Sequence, residues 1–541
     1  MALGATAPLY FYLMVKIKHL LLLGMLSWFS LPTDAQQLQL NAPDPLPDGT
    51  RCDIQSSPGI SGDHYYILYT NQPKRHNKSH TVFSHLKIYS ILTGKLSASV
   101  NLNALVSEQG NDQQIAFTHV QLWKDKLVTL YMSWSPTASW LNLYAQLLDE
   151  KGNKWGNPTL LETLSPSPGA QNRADKLNLI NAENTEDLAR GLQLSFTADS
   201  THLLVYYAGT AWRSFAPVLL DNGLHRIKKW TIGLAKNEQT LQCAVTGGTL
   251  AVLIKRMAEN KDSVNTYRLA TLNHTEGTPY WSVPLSLPGK IIQDVRFRPS
   301  EGGKITLSGT YSLADQKNSL QSTHGVFALM VNGQGQVEHS DIHPFPGGMI
   351  SDLVSYKAAA RGNGLDRVIH VNQVISLGGG DIVTVGRSVT QQAQAAATPV
   401  VLTPHYDISG HVVLTAIDAE GKVQWISYLN RLYEDYPSTT SPASFFATRD
   451  NHDRLLVVYD ENGTQRTHQQ IFVDRYGDHG ISDRNWMALP RSFNTRSTWI
   501  LWNTASRTPE NTIMVAYYNT WKKEMGTLKI NVNPTVRITM R

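Results

Sequence analysis

The sequence predicts an all-β chain, and three observations predict it. Helical periodicity is almost absent along the 541 residues. Short β-branched or aromatic runs alternate instead with turns that contain Gly. The same hairpin also returns at a spacing that suits one four-stranded sheet per repeat. Composition agrees: 41% of residues are hydrophobic and 17% charged, with 38 Gly and 25 Pro. That is a folded chain, too poor in Gly and Pro to be collagen-like or low-complexity. Lys and Arg number 48 against 43 Asp and Glu, so the net charge is +5, spread without a basic tract. Nucleic acid is therefore not an expected partner.

The N-terminal segment reads as an export leader. Lys16, Lys18 and His19 precede an apolar run over 20–31, then Pro32, Thr33, Asp34 and Ala35, which place small residues before a cut after Ala35. A membrane helix needs about 20 apolar residues, and this run is shorter. Residues 1–35 are thus expected to be a signal peptide, with the true start at Met14, where a basic region leads directly into the apolar core. Residues 36–541 form the folded domain, with no membrane span, and the expected location is secreted or periplasmic. Cys52 and Cys243 lie in different repeat units. A bridge would need their Cα atoms within about 7 Å, so two buried small residues are the first expectation.

The clearest hairpin runs from Val412 to Ile417, turns through Asp418-Ala419-Glu420-Gly421-Lys422, and returns with Val423-Gln424-Trp425-Ile426. Related hairpins stand at Asp149–Trp155 and at Asn273 with Trp281. Weaker copies stand at Ser90 to Gly94, Asp221-Asn222-Gly223, Asn332 to Gly335, and Asp474 to Gly477. The Asp or Asn side chain bonds backbone N–H groups ahead of it, while Gly takes the positive φ. The turn residues at 90, 149, 221, 273, 332, 418 and 474 are separated by 59, 72, 52, 59, 86 and 56 positions. Most intervals fit one blade of a β-propeller. The longest contains Gln391 to Pro399, read as a flexible loop. After the seventh hairpin the chain supplies three further strands, near Trp499, Thr512–Tyr518 and 526–532. Gln37-Leu38-Gln39-Leu40 can add the fourth and close the ring. A single β-propeller of eight four-stranded blades is the expected fold, seven blades or two β-sandwiches the alternatives.

Gly378-Gly379-Gly380-Asp381 with its strand to Gly386, followed by the Asp418 hairpin, resembles the repeat of exported bacterial β-propeller proteins. The stretch from Glu301 to Tyr311 with Val326 to Val331 repeats that pattern. The resemblance implies fold and export; that group is largely without assigned activity. The Trp after D-x-x-G is similar to the docking tryptophan of quinone-binding propellers, where it locks blades together, and does not itself imply quinone. The tighter Asp boxes of sialidases are not matched.

No nucleotide-binding, zinc-protease, nucleophile-elbow or C-x-x-C motif occurs, and no metal or cofactor is expected. Connection length is the informative feature: 162–190, 341–367 and 429–443 are long, and long connections in compact domains are usually functional. In a propeller they gather at one mouth of the channel. They carry Arg173, Asp175, Arg190, His343, Phe345, Arg361, Arg367, Tyr433, Glu434, Asp435 and Tyr436. Tyr433, Glu434, Asp435, Tyr436, Arg361 and Arg367 are the expected ligand-binding residues, because aromatic rings stack on sugars or peptides while carboxylates accept hydrogen bonds. Three functions fit. The first is a non-catalytic recognition module for an envelope protein or glycan. The second is a polysaccharide hydrolase or lyase using Glu434 and Asp435 as acid and base. The third is an envelope scaffold that uses its outer strands.

Overall fold

A computed structural model describes residues 38–45, 50–73, 83–106, 114–134, 141–164, 191–209, 212, 214–259, 263–272, 279–315, 320–392, 406–429, 433–434, 445–460, 470–489, 493, 498–519 and 521–533. These form eight antiparallel sheets in chain order. Blade 1 spans 50–101, blade 2 114–164, blade 3 192–229, blade 4 238–285, blade 5 290–344, blade 6 370–429 and blade 7 446–488. Blade 8 takes three strands from 498–531 and its outermost from Leu38–Leu40. Leu38 pairs with Ile530, Gln39 with Lys529 and Leu40 with Leu528, which closes the ring as the sequence predicts. First strands of neighbouring blades adjoin around a central channel.

What makes the sheets pack radially is visible in their burial. Middle strands such as Leu203–Tyr207 and Gly325–Val331 are buried at every position. They have apolar side chains on both faces and so need a sheet on each side. Outermost strands alternate instead, as Leu96–Asn101 does. Apolar clusters accordingly straddle the seams: Tyr66 and Leu86 of blade 1 meet Val120 of blade 2. Leu203 and Val218 of blade 3 likewise join Leu130 of blade 2. At the closure Ile54 and Tyr65 of blade 1 pack on Leu501 and Met514 of blade 8.

Polar pins cross the same seams. Trp281 donates its indole N–H to the carbonyl of Gly333 in blade 5 (2.8 Å), and Trp502 donates to Asp460 of blade 7 (2.8 Å). Gln242 both donates to and accepts from the Phe297 backbone, at 2.7 and 3.0 Å. The tryptophan after the turn thus ties blades together at Trp281, and Trp425 stacks on Tyr476 of blade 7.

The turn chemistry holds at Asp149, Asn332 and Asp418, whose side-chain oxygens accept from the backbone N–H groups two and four residues ahead. Three readings need correction. At Asp221 the positive φ falls on Leu224 (63°), not on Gly223. Leu224 is 1% exposed within the seam core of blades 2 and 3, and that burial offsets the roughly 1–2 kcal/mol strain of a left-handed Leu. Asp474 is not a turn residue: it lies inside the strand Gln470–Gly477, fully buried, with Arg484 gripping both its oxygens at 2.9 and 2.8 Å. A charge so paired can occupy a strand interior. Gln391 and Gln392 continue the strand Ile382–Gln392 rather than forming loop; 393–399 lie outside the described residues. Likewise the turn after Asn273 lies outside them. Cys243 is a buried free thiol, and burial pushes it well up.

Candidate functional site

The antiparallel order sorts the connections onto two faces. Turns between first and second strands, and between third and fourth, share one face; the remaining connections share the other. The long connections all belong to this second face, hereafter the connection face. Among the described residues it is built up at blades 5 and 6. Blade 6 extends its second and third strands beyond the sheet, where Val389 pairs with Ser409 and Gln392 with Tyr406. Tyr433 and Glu434 add a third strand to this arm, opposite Ser409 and Ile408. Beside it the chain between blades 5 and 6 folds into helices Gly347–Leu353 and Tyr356–Ala360. Phe345, Met349, Ile350, Leu365 and Ile369 bury themselves beneath these helices. Thr323 pins the segment, exchanging backbone bonds with Leu365 (3.0 and 2.7 Å) while its hydroxyl donates to the carbonyl of Arg367 (2.9 Å).

The expected ligand residues are thereby distributed. Tyr433 and Glu434 stand on the arm, Arg361 is exposed at the end of the second helix, and Arg367 is partly exposed beside Asp366 (3.3 Å). Asp435, Tyr436, Arg173, Asp175 and Arg190 lie outside the described residues. His343 is bound to Asp341 (2.9 Å), and Phe345 is an anchor within the core rather than a binding ring. On this face sequence reasoning passed over two exposed aromatic residues: Tyr356, 81% exposed on the second helix, and Trp521, 76% exposed on the connection within blade 8. Their signal was their company, Ser355 capping a helix before Tyr356, and Asn519, whose side-chain oxygen accepts from the backbone N–H groups of Trp521 and Lys522.

Charge gathers at the channel mouth. Asp294 follows a bulge in the first strand of blade 5. Its carboxylate accepts from Val295 N (2.9 Å), Arg296 (3.1 Å) and Val371 N of blade 6 (3.0 Å), with His370 Nδ1 3.6 Å away. Burial works to raise this carboxyl, but the His370 ring beside it, the Arg296 charge and the backbone donor hold it below its ordinary value. Away from the channel, in the outermost strand of blade 5, Asp341 is also held low, by Val423 N of blade 6 and by His343, against its burial. These residues were missed because nothing in their local sequence distinguishes them.

In blade 2 the first strand is bulged before His119, whose Nδ1 is enclosed without a partner. Burial drives its pKa down from 6.5 to about 4. The unfolded chain therefore takes up a proton that the folded chain refuses, and stability is lost as pH falls from 6.5 toward 4. Full burial would make that about 3 kcal/mol; with the residue still partly exposed we expect about 1–2 kcal/mol. Denaturant unfolding at pH 7 and pH 4.5 checks this: His119→Gln should shrink the difference between the two by that amount.

No helix among the described residues is long and apolar enough to cross a membrane. The fold is similar to that of the C-terminal WD40 domain of Sif2, at 10% identity and a TM-score of 0.38, covering 91% of this chain and 99% of that one. It is also similar to the β-propeller domain of the trilobed protease from Pyrococcus furiosus (9%, TM-score 0.36, 81% and 96%). The polysaccharide lyase Uly1 is similar at 10% identity and a TM-score of 0.36, over 91% of each chain. The chain is an eight-bladed β-propeller, and no family model and no curated protein matches its sequence.

Proposed function

We propose that this propeller works outside the cytoplasm, secreted or in the periplasm, as a non-catalytic recognition module, and that its ligand is a glycan or protein of the cell envelope, bound on the connection face. One observation carries the reading. Tyr356 and Trp521 hold their rings in solvent on that face, while the neighbouring Phe345 is buried. An exposed ring offers a flat apolar surface with a polar tip, suited to stacking on a sugar. The exposed Arg361, at the end of the helix that carries Tyr356, adds hydrogen-bonding capacity. The basic and apolar leader supports export.

Catalysis fits less well. A glycosidase needs one carboxyl raised to serve as acid beside a second that stays ionised. On the connection face Asp294 is held low instead, Asp366 is paired with Arg367, and Asp352 accepts from Tyr428. Among the described residues the carboxyl pushed up by burial is Asp381, on the opposite face, in the turn before the strand Ile382–Gln392.

The test is a glycan array and an envelope-extract pull-down with the chain from residue 36 onward. Tyr356→Ala and Trp521→Ala together should weaken the detected interaction at least tenfold with the fold intact. Unchanged binding in that pair, or turnover of a bound polysaccharide, would remove the reading.

A further inference from the structure

The mouth of the channel between blades 4, 5 and 6 carries more positive charge than its own carboxylate can answer. Lys255 is the penultimate residue of the strand Thr249–Arg256, at its connection-face end, and His370 opens the first strand of blade 6 at the same end. Between them stands the Asp294–Arg296 pair. Asp294 is fully engaged: its oxygens hold two backbone N–H groups, one Arg296 nitrogen and the His370 ring. Arg296 uses a single terminal nitrogen, toward Asp294 and the Val295 carbonyl. Its Nε and second terminal nitrogen make no hydrogen bond among the described residues. Nor does the Lys255 ammonium, although it is largely enclosed.

That arrangement is unusual on physical grounds, because a cation taken out of water is normally paired. Burial pulls the Lys255 pKa down and Arg296 opposes its charge, while Asp294 favours it; the balance leaves the ammonium below its ordinary value. Two residues beyond Arg296, Arg298 is also half-enclosed with its pKa lowered by burial, and it has no ion pair among the described residues. Asp294 is too occupied to neutralise this group, but it orients Arg296 and the His370 ring. His370 presents Nδ1 to Asp294, and its half-exposed ring leaves Nε2 on the far edge. Lys255, Arg296 and His370 thus share the neighbourhood of Asp294, and among the described residues no second carboxylate pairs with them.

We infer that Lys255, Arg296 and His370, ordered by Asp294, form a binding site for an oxyanion at the channel mouth. The group it takes is a carboxylate or a sulfate-type oxyanion, which can accept from two planar guanidinium donors and an ammonium at once. As an anion site it stands apart from the recognition reading. That the anion is borne by a glycan, as a uronic acid or sulfate ester, rests on that reading.

Titration calorimetry at constant ionic strength tests it with sodium sulfate, glucuronic acid and an acidic oligosaccharide, against sodium chloride. Sulfate or glucuronate should bind where chloride does not. Lys255→Met and Arg296→Gln should each weaken binding about tenfold or more, and the exposed control Lys95→Met should not. His370→Gln alters a half-exposed ring and serves if either variant fails to fold; about threefold to tenfold weakening is expected. Tyr356→Ala with Trp521→Ala should leave sulfate and glucuronate binding unchanged while weakening the oligosaccharide. Small anions bound with no oligosaccharide recognised would keep this site and remove the glycan reading. Anion binding no stronger than chloride, or binding that survives the Lys255, Arg296 and His370 variants, would overturn the site.

Discussion

A chain begun at Leu46 should lose about 4–6 kcal/mol of stability and expose a sticky sheet edge. The missing segment supplies the outermost strand of blade 8, paired along Glu524–Asn531. Leu38 and Leu40 pack against the core shared by blades 7 and 8, each worth about 1 kcal/mol at half burial. Asn41 adds a cluster of bonds: its backbone N–H donates to Thr527 O (3.0 Å), its amide to the Thr527 hydroxyl (2.8 Å), and its carbonyl accepts from Tyr517 (2.9 Å). At about 1 kcal/mol per bond these outweigh the two leucines. Deletion also leaves the outer edge of Glu524–Asn531 unpaired beside solvent, while its inner edge stays paired with Thr512–Asn519, and an open edge is the template for edge-to-edge association. Guanidinium unfolding and light scattering check both halves. Stability within about 1 kcal/mol of the full ring, with no association, would mean that the closing strand contributes little.

Gly335→Ala should cost about 2–5 kcal/mol, and Gly421→Ala only about 1–2 kcal/mol, although both occupy the same position of the same turn. Each has a left-handed φ, 82° and 84°, which any Cβ makes unfavourable by about 1–2 kcal/mol. The difference comes from the neighbouring blade. A Cβ on Gly335 would stand 2.7 Å from the Trp281 indole, a rigid ring whose N–H is bonded to Gly333 in that same turn. Relieving the clash breaks that bond or displaces the turn, an overpacking cost of about 1–3 kcal/mol. On Gly421 the nearest atom is the Met330 methyl at 3.3 Å, the flexible end of its side chain. Equal losses in thermal unfolding would show that the turn conformation alone matters and the approach of blades does not.

The repeat was legible because turn chemistry is local. Asp149, Asn332 and Asp418 each organise five consecutive residues, so their spacing could be read directly as blade length. The closing strand was legible for a related reason: three strands after the last full blade leave one edge, and only the N-terminal Leu38 and Leu40 remained to cover it. Where local reading failed, a partner from elsewhere had intervened. Leu224 takes the strained φ because blades 2 and 3 bury it, and Asp474 enters a strand because Arg484 neutralises it. The candidate site was less legible still. Arg361 and Arg367 lie on the expected face, yet Phe345 and Tyr356 are both aromatic residues of one connection and have opposite fates, core and solvent.

By itself the sequence determined the all-β class, the eight repeats, the means of closing the ring and the long connections between particular blades, since each is written in residues close together along the chain. Only the tertiary structure decided which aromatic rings stay in water and which charges meet. Lys255, Asp294 and His370 come from three blades and are brought to one channel mouth by the closing of the ring, and no local pattern encodes a distance across it.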